Sequence, residues 1–152
     1  MYYDISYFDV DQALTKLLGY KKIYRIGKEI RLNEVGRYII ADAQMLHLFK
    51  LSEIAGVRVN KVDKVLFQKL KENDKCLIID VSKLRSGDFI KEYNNAKNIL
   101  RNALHTGLRV LIASFARDEI QLLSSLQMLE LAKFIGASEG VAKEMLSQAI
   151  TR

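Results

Sequence analysis

The chain has 152 residues, 24 Lys and Arg against 18 Asp and Glu, two His, and a formal net charge of +6. That length predicts one domain over residues 1–152, and an apolar fraction of 49% excludes wholesale disorder. No apolar run approaches the roughly 18–20 residues that cross a bilayer, residues 1–12 are acidic where a secretory leader would be basic, and the single Cys76 excludes an internal disulfide and fits a reducing, cytoplasmic setting.

Residues 2–8 (YYDISYF) read as a strand. Asp9 or Asp11 caps a helix that runs to Gly19. Two β-rich runs follow, at residues 21–26 and 38–41. A second helix is predicted over 43–55, ending at Gly56 ahead of a short strand, Val57-Arg58-Val59. The third helix covers 61–72, with Val62, Val65, Leu66 and Leu70 on one face. Cys76-Leu77-Ile78-Ile79-Asp80-Val81 is a near-continuous apolar run, the pattern of a buried parallel strand. Asp88 caps a fourth helix over 88–105, whose stripe is Phe89, Tyr93, Ala96, Leu100 and Ala103 or Leu104. Gly107 closes it and a strand over 108–113 follows. Beyond residue 117 two helices are predicted without a strand: 118–135, stopping at Gly136, and one capped by Ser138 that carries Val141, Ala142, Met145, Leu146 and Ala149. The alternation predicts an α/β fold with a parallel sheet and helices outside it. Such a sheet stays open or closes as a barrel. A full eight-unit barrel takes about 200–250 residues, so a barrel here must be trimmed. Proline is absent, which excludes cis-prolyl turns.

Enzymatic signatures are missing. There is no GxxxxGK[ST], no GxGxxG and no GxSxG, and two His with one Cys cannot supply zinc spacing. His47 sits in an apolar stretch and His105 at a helix C-terminus, and both read as structural. Cys76 reads as a buried, inert thiol. Asp4, Asp42, Asp80 and Ser114 fall near strand ends, where sites collect in parallel folds. Two or three carboxylates there could hold Mg²⁺, but without His partners they make a poor hydrolytic site and read as the polar ends of strands.

The cations are more informative. Residues 21–37 carry six bases and two acids, and residues 76–117 carry seven bases and three acids, between acidic flanks. A basic middle points to a polyanion partner. Lys83, Arg85 and Ser86 follow one strand directly, and Ser114 and Arg117 lie at the end of another, so these groups share one rim. A cation and a serine in such loops suit a phosphate. Lys97 and Arg101 stand four apart on one helix face. Lys21, Lys22, Arg25, Lys28, Arg31 and Arg37 form a second cluster with Tyr20 and Tyr24 interleaved, a pattern compatible with base stacking.

Two stretches resemble archaeal ribonuclease P protein component 3. Residues 62–86 (VDKVLFQKLKENDKCLIIDVSKLRS) match its helix, turn, strand and Arg-Ser loop. Residues 96–136 match the following long helix, glycine, apolar strand ending in serine and helical end, and residues 136–149 match in pattern. Residues 1–60 match only in outline. Ser124-Ser125-Leu126 stands where the family commonly has Ser-Pro, and the chain is shorter than the family barrel. The resemblance implies a trimmed TIM-like (β/α) barrel with parallel strands and a helical C-terminal end. It implies a protein subunit of ribonuclease P, an endoribonuclease whose RNA performs the cleavage that removes the 5′ leader from precursor tRNA. The protein would carry no catalytic residue, metal or cofactor, and Mg²⁺ would sit on the RNA. Its partners would be RNase P RNA, precursor tRNA, RNase P protein component 2 and the other RNase P proteins, with no membrane. Arg85 and Ser86, with Lys83, match the family's Arg-Ser loop; Ser114 and Arg117 match its serine loop; Lys97 and Arg101 match basic helix positions. These residues, with Lys21, Lys22 and Arg25, are the expected RNA contacts. Two other readings are a metal-dependent phosphoesterase of the related polymerase-and-histidinol-phosphatase barrel, which two dispersed His disfavour, and a scaffold that binds only protein.

Overall fold

The computed structural model describes residues 1–26, 39–48, 50–85 and 87–147. The described residues form a mixed α/β structure in which every strand pairing is parallel, and the C-terminal end is helical. β1 (Tyr3–Ser6) pairs with β2 (Lys22–Arg25). β3 (Ile39–Asp42), β4 (Ile54–Val59), β5 (Cys76–Asp80) and β6 (Val110–Ala113) form a second sheet in that order. The two sheets meet where Ser6 bridges Ala116, just past β6, and the Tyr7 amide donates to the Ala116 carbonyl at 2.8 Å. The helices are α1 (Gln12–Leu17), α2 (Lys64–Glu72), α3 (Phe89–Thr106), α4 (Ser125–Phe134) and α5 (Glu139–Ser147).

Strand alternation sorts the apolar side chains into two clusters. Leu77 and Ile79 of β5, Val110 and Ile112 of β6, and Val57 and Val59 of β4 pack against the helices, with Phe67, Leu70, Leu100, Met128 and Met145 among their partners. The opposite face carries Cys76, Ile78, Leu111, Ala113 and Ile40, and these gather with Ile5 of β1, with Ile26 just past β2 and with Phe115. Both sheets therefore contribute to one inner cluster.

Local chemistry sets the element ends. Asp11, Asp63 and Asp88 each accept an amide of the first helical turn, which replaces a bond the helix cannot make internally. Gly107 ends α3 at φ 76°, a backbone region other residues rarely adopt.

Several expectations are corrected. The helix over 43–55 is absent: two 3₁₀ turns, Ala43–Leu48 and Leu51–Glu53, lead into a strand that begins at Ile54. Ile54 pairs with Ile39 and Gly56 pairs with both Ile40 and Cys76, so sheet pairing on both sides prevails over helical periodicity. Gly56 is not a helix cap, because a Cβ there would lie 2.5 Å from Cys76 Sγ and 2.9 Å from Ile78 Cδ1. The helix over 118–135 is split into a 3₁₀ turn (Glu119–Gln121) and α4. Ser124 and Gln127 exchange side-chain and backbone bonds, a capping box that starts α4. On α2, Leu66 and Leu70 are buried and Val62 packs against the same core, as expected, but Val65 is 80% exposed and the fully buried Phe67 takes its place on that face. His47 is exposed rather than packed in an apolar face. Tyr38, Ser86, Lys28, Arg31, Arg37 and Ala149 lie outside the described residues.

Candidate nucleic-acid interface

The inner face of the sheets turns from apolar to charged at the carboxyl ends of the strands. Asp42 follows Ile40 by two residues, Arg58 follows Gly56, and Asp80 follows Ile78, so all three project on the same side as the inner cluster. Asp42 is the register partner of Arg58 across β3 and β4. Arg58 grips Asp42 with two bonds, Nε to Oδ1 at 2.5 Å and Nη2 to Oδ2 at 2.9 Å. Its Nη1 donates to the Tyr7 hydroxyl at 2.7 Å and to Asp80 Oδ2 at 3.2 Å. The guanidinium lies 4.9 Å from the centre of the Phe115 ring. The bond to Asp42 holds the guanidinium firmly protonated. Asp80, 4% exposed in its side chain, also accepts the Ser82 amide at 2.8 Å.

Above this network opens a cleft of about 390 Å³ lined by Tyr7, Asp42, Gln44, Arg58, Asn60, Asp80, Ser82, Lys83 and Arg117. Arg117 is exposed and stands 5.7 Å from the centre of the Tyr7 ring. A second hollow adjoins through Asn60 and Lys83, and adds Lys61, Lys91, Glu92, Asn94, Asn95 and Asn98. Among the described residues, Lys61, Lys83, Lys91 and Arg117 form no ion pair.

Beneath the rim, Asp4 is buried and joins the sheets. Its carboxylate accepts the Ser114 amide at 2.7 Å, the Ser114 hydroxyl at 2.6 Å and the Ile5 amide at 2.8 Å. Burial pushes its pKa up to about 6, against the pull of the Ser114 and Ile5 donors and the Arg85 charge. Phe115 follows at φ 46°, a strained conformation for a bulky residue. Its ring lies beneath Arg58.

The expected contacts divide sharply. Lys83 and Arg117 meet in the cleft. Lys97 and Arg101 are exposed on α3, with Lys97 5.9 Å from the Tyr93 ring and Arg101 donating to Asn98 at 3.4 Å. Arg85 donates to the Gln121 carbonyl and, at 3.4 Å, to the Ser114 carbonyl, so it ties two loops together. Ser114 is completely buried and its hydroxyl is committed to Asp4, which leaves it no surface for a ligand. Lys21, Lys22 and Arg25 flank and occupy β2; Lys22 stands over Tyr24 at 5.1 Å and Arg25 pairs with Asp9. Tyr20 is buried and donates to the Leu123 carbonyl at 2.9 Å, so it offers no stacking face. Cys76 is buried, which pushes its thiol up to about 11.

Arg58, the centre of the cleft, was not singled out by sequence reasoning. The available signal was the apolar-x-charged ending shared by consecutive strands. Among the described residues no three His, Cys, Asp or Glu side chains gather as a metal site, and no helix is long and apolar enough to cross a membrane. No family model and no curated protein matches this chain.

A third concavity is of a different kind. Val81, Leu84, Phe89, Leu123, Leu126, Leu131 and Phe134 line a groove of about 750 Å³ between the turn after β5, α3 and α4. Phe89, Tyr93 and Phe134 stack at its edge, with centroids 4.7–6.2 Å apart.

Proposed function

We propose that the chain is a cytoplasmic, non-catalytic protein subunit of ribonuclease P, which assists the catalytic RNA in removing the 5′ leader from precursor tRNA. One observation carries this reading: Lys61, Lys83, Lys91 and Arg117 line two adjoining hollows without an acidic partner among the described residues. Asn60, Asn94, Asn95 and Asn98 line the second hollow with the lysines, beside the single acid Glu92. Cations with interspersed amides suit phosphate and sugar, and a ribozyme's helper needs such a surface and no base or metal of its own. The resemblance of residues 62–86 and 96–136 supplies the identity of the RNA. The apolar groove supports a protein partner, RNase P protein component 2, because exposed Phe89, Leu126 and Phe134 are the residue types that interfaces bury. A trimmed TIM-like barrel is the architecture we assign, supported by the inner cluster that both sheets share and by the Ser6–Ala116 bridge.

The test is binding of RNase P RNA from about 50 to about 200 mM salt, where phosphate contacts weaken steeply. Lys83→Glu and Arg117→Glu should each flatten the salt slope by at least about 0.7–0.9. Salt-independent binding, or none at low salt, overturns the reading.

A further inference from the structure

We propose that the cleft holds a single unpaired ribonucleotide, its phosphate on Lys83 and Arg117 and its ribose hydroxyls on Asp42. The inference rests on the RNA-binding reading and narrows it to one site. The cleft's volume of about 390 Å³ is within the range of small-ligand sites, about 300–1,000 Å³. Its chemistry is mixed in a way that selects the occupant. Lys83 and Arg117 are donors without an anionic partner among the described residues. Arg58 makes four hydrogen bonds and so has only one of its five N–H groups left. Asp42 remains 31% exposed in its side chain, and each of its oxygens accepts only one bond from Arg58, so it can accept more.

Inorganic phosphate would satisfy the cations but offer few donors to Asp42, whose oxygens can still accept. A ligand that joins a phosphate to hydroxyl donors, as a ribonucleotide does, satisfies both halves. Tyr7, under the Arg117 guanidinium at 5.7 Å, offers a ring face to the base if that cation turns to phosphate. A duplex cannot present a nucleotide this way, so the ligand is a single-stranded position.

The test is a titration of the full chain, labelled with nitrogen-15, with the four ribonucleoside 5′-monophosphates, their 2′-deoxy forms and inorganic phosphate. Expected are saturable amide shifts centred on Tyr7, Arg58, Asn60, Lys83 and Arg117, with inorganic phosphate about tenfold weaker and the deoxy forms weaker than the ribose forms. Arg117→Ala, at an exposed position, should weaken the monophosphates about tenfold with an unchanged melting temperature. Lys83→Ala gives a second reading if Arg117→Ala misfolds. Shifts spread outside the cleft, equal binding of phosphate, or equal binding of the deoxy forms overturns the proposal. RNA binding is measured on the same samples: RNA bound without mononucleotides sinks this inference alone, and loss of both sinks the function with it.

Discussion

The charged cleft and the apolar groove lie on two sides of one 3₁₀ turn, Val81–Arg85, and are built on opposite principles. Ser82 and Lys83 face the cleft, while Val81, Leu84 and Arg85 face the groove. In the cleft the central charges are structural, since Arg58 holds three strands and Tyr7 together. In the groove the exposed side chains, Phe89, Leu126 and Phe134, sit on helices whose other faces already fill the core. The contrast teaches that a change at the centre of the cleft should damage the fold, whereas a change in the groove should cost little stability.

The largest expected effect is at Arg58. Arg58→Ala leaves Asp80 almost buried and without its cation, and removal of one partner of a buried pair costs about 3–5 kcal/mol. Urea unfolding measures it, and a loss below about 1 kcal/mol would show that the network does not hold the strands.

Next comes Asp4, below the same rim. Its pKa is raised from 3.8 to about 6, so the folded state favours the protonated form. Its contribution is full below pH 3.8 and is lost as pH rises through about 6. The shift corresponds to about 3 kcal/mol. The stability difference between the native chain and Asp4→Asn should therefore move by about that amount against the native chain from about pH 3 to about pH 8. A flat difference would contradict the burial of a charge there.

The groove supplies the smaller effects. Phe134→Ser, 53% exposed but with its ring 4.7 Å from that of Tyr93, should cost about 0.5–1.5 kcal/mol, and Leu126→Ser, at 70% exposure, no more than about 0.5 kcal/mol, both read by thermal unfolding. The same variants should release RNase P protein component 2 in a pull-down with purified proteins. A large stability loss would move these residues from interface to core. The charge reversals at Lys83 and Arg117 should leave stability within about 0.5 kcal/mol while reducing RNA affinity.

The two regions were unequally legible. Parallel strands, the Asp88 cap and the Gly107 stop follow from local pattern, because a helix end or an apolar run is written in adjacent residues. Lys83 and Arg117 were visible as cations just past strands. Arg58 was not, because its meaning depends on register: only pairing of β3 with β4 puts Asp42 opposite it. The failed helix over 43–55 has the same origin, since Gly56 is required by Cys76 on another strand. Ser114 looked like a phosphate ligand, but the Asp4 that consumes it lies 110 residues away in the chain. The groove was hidden because Phe89 fits the stripe of α3 by spacing, while its ring ends up beside Phe134 of α4.

The most direct test of a non-catalytic, RNA-supporting role is reconstitution of ribonuclease P from its RNA and other proteins, with and without this chain, scored by release of the 5′ leader from precursor tRNA. Addition of the chain should accelerate cleavage, the doubly substituted Lys83→Glu, Arg117→Glu chain should restore much less, and the chain without the RNA should cleave nothing. An unchanged rate on addition, or cleavage by the purified chain by itself, would contradict that role.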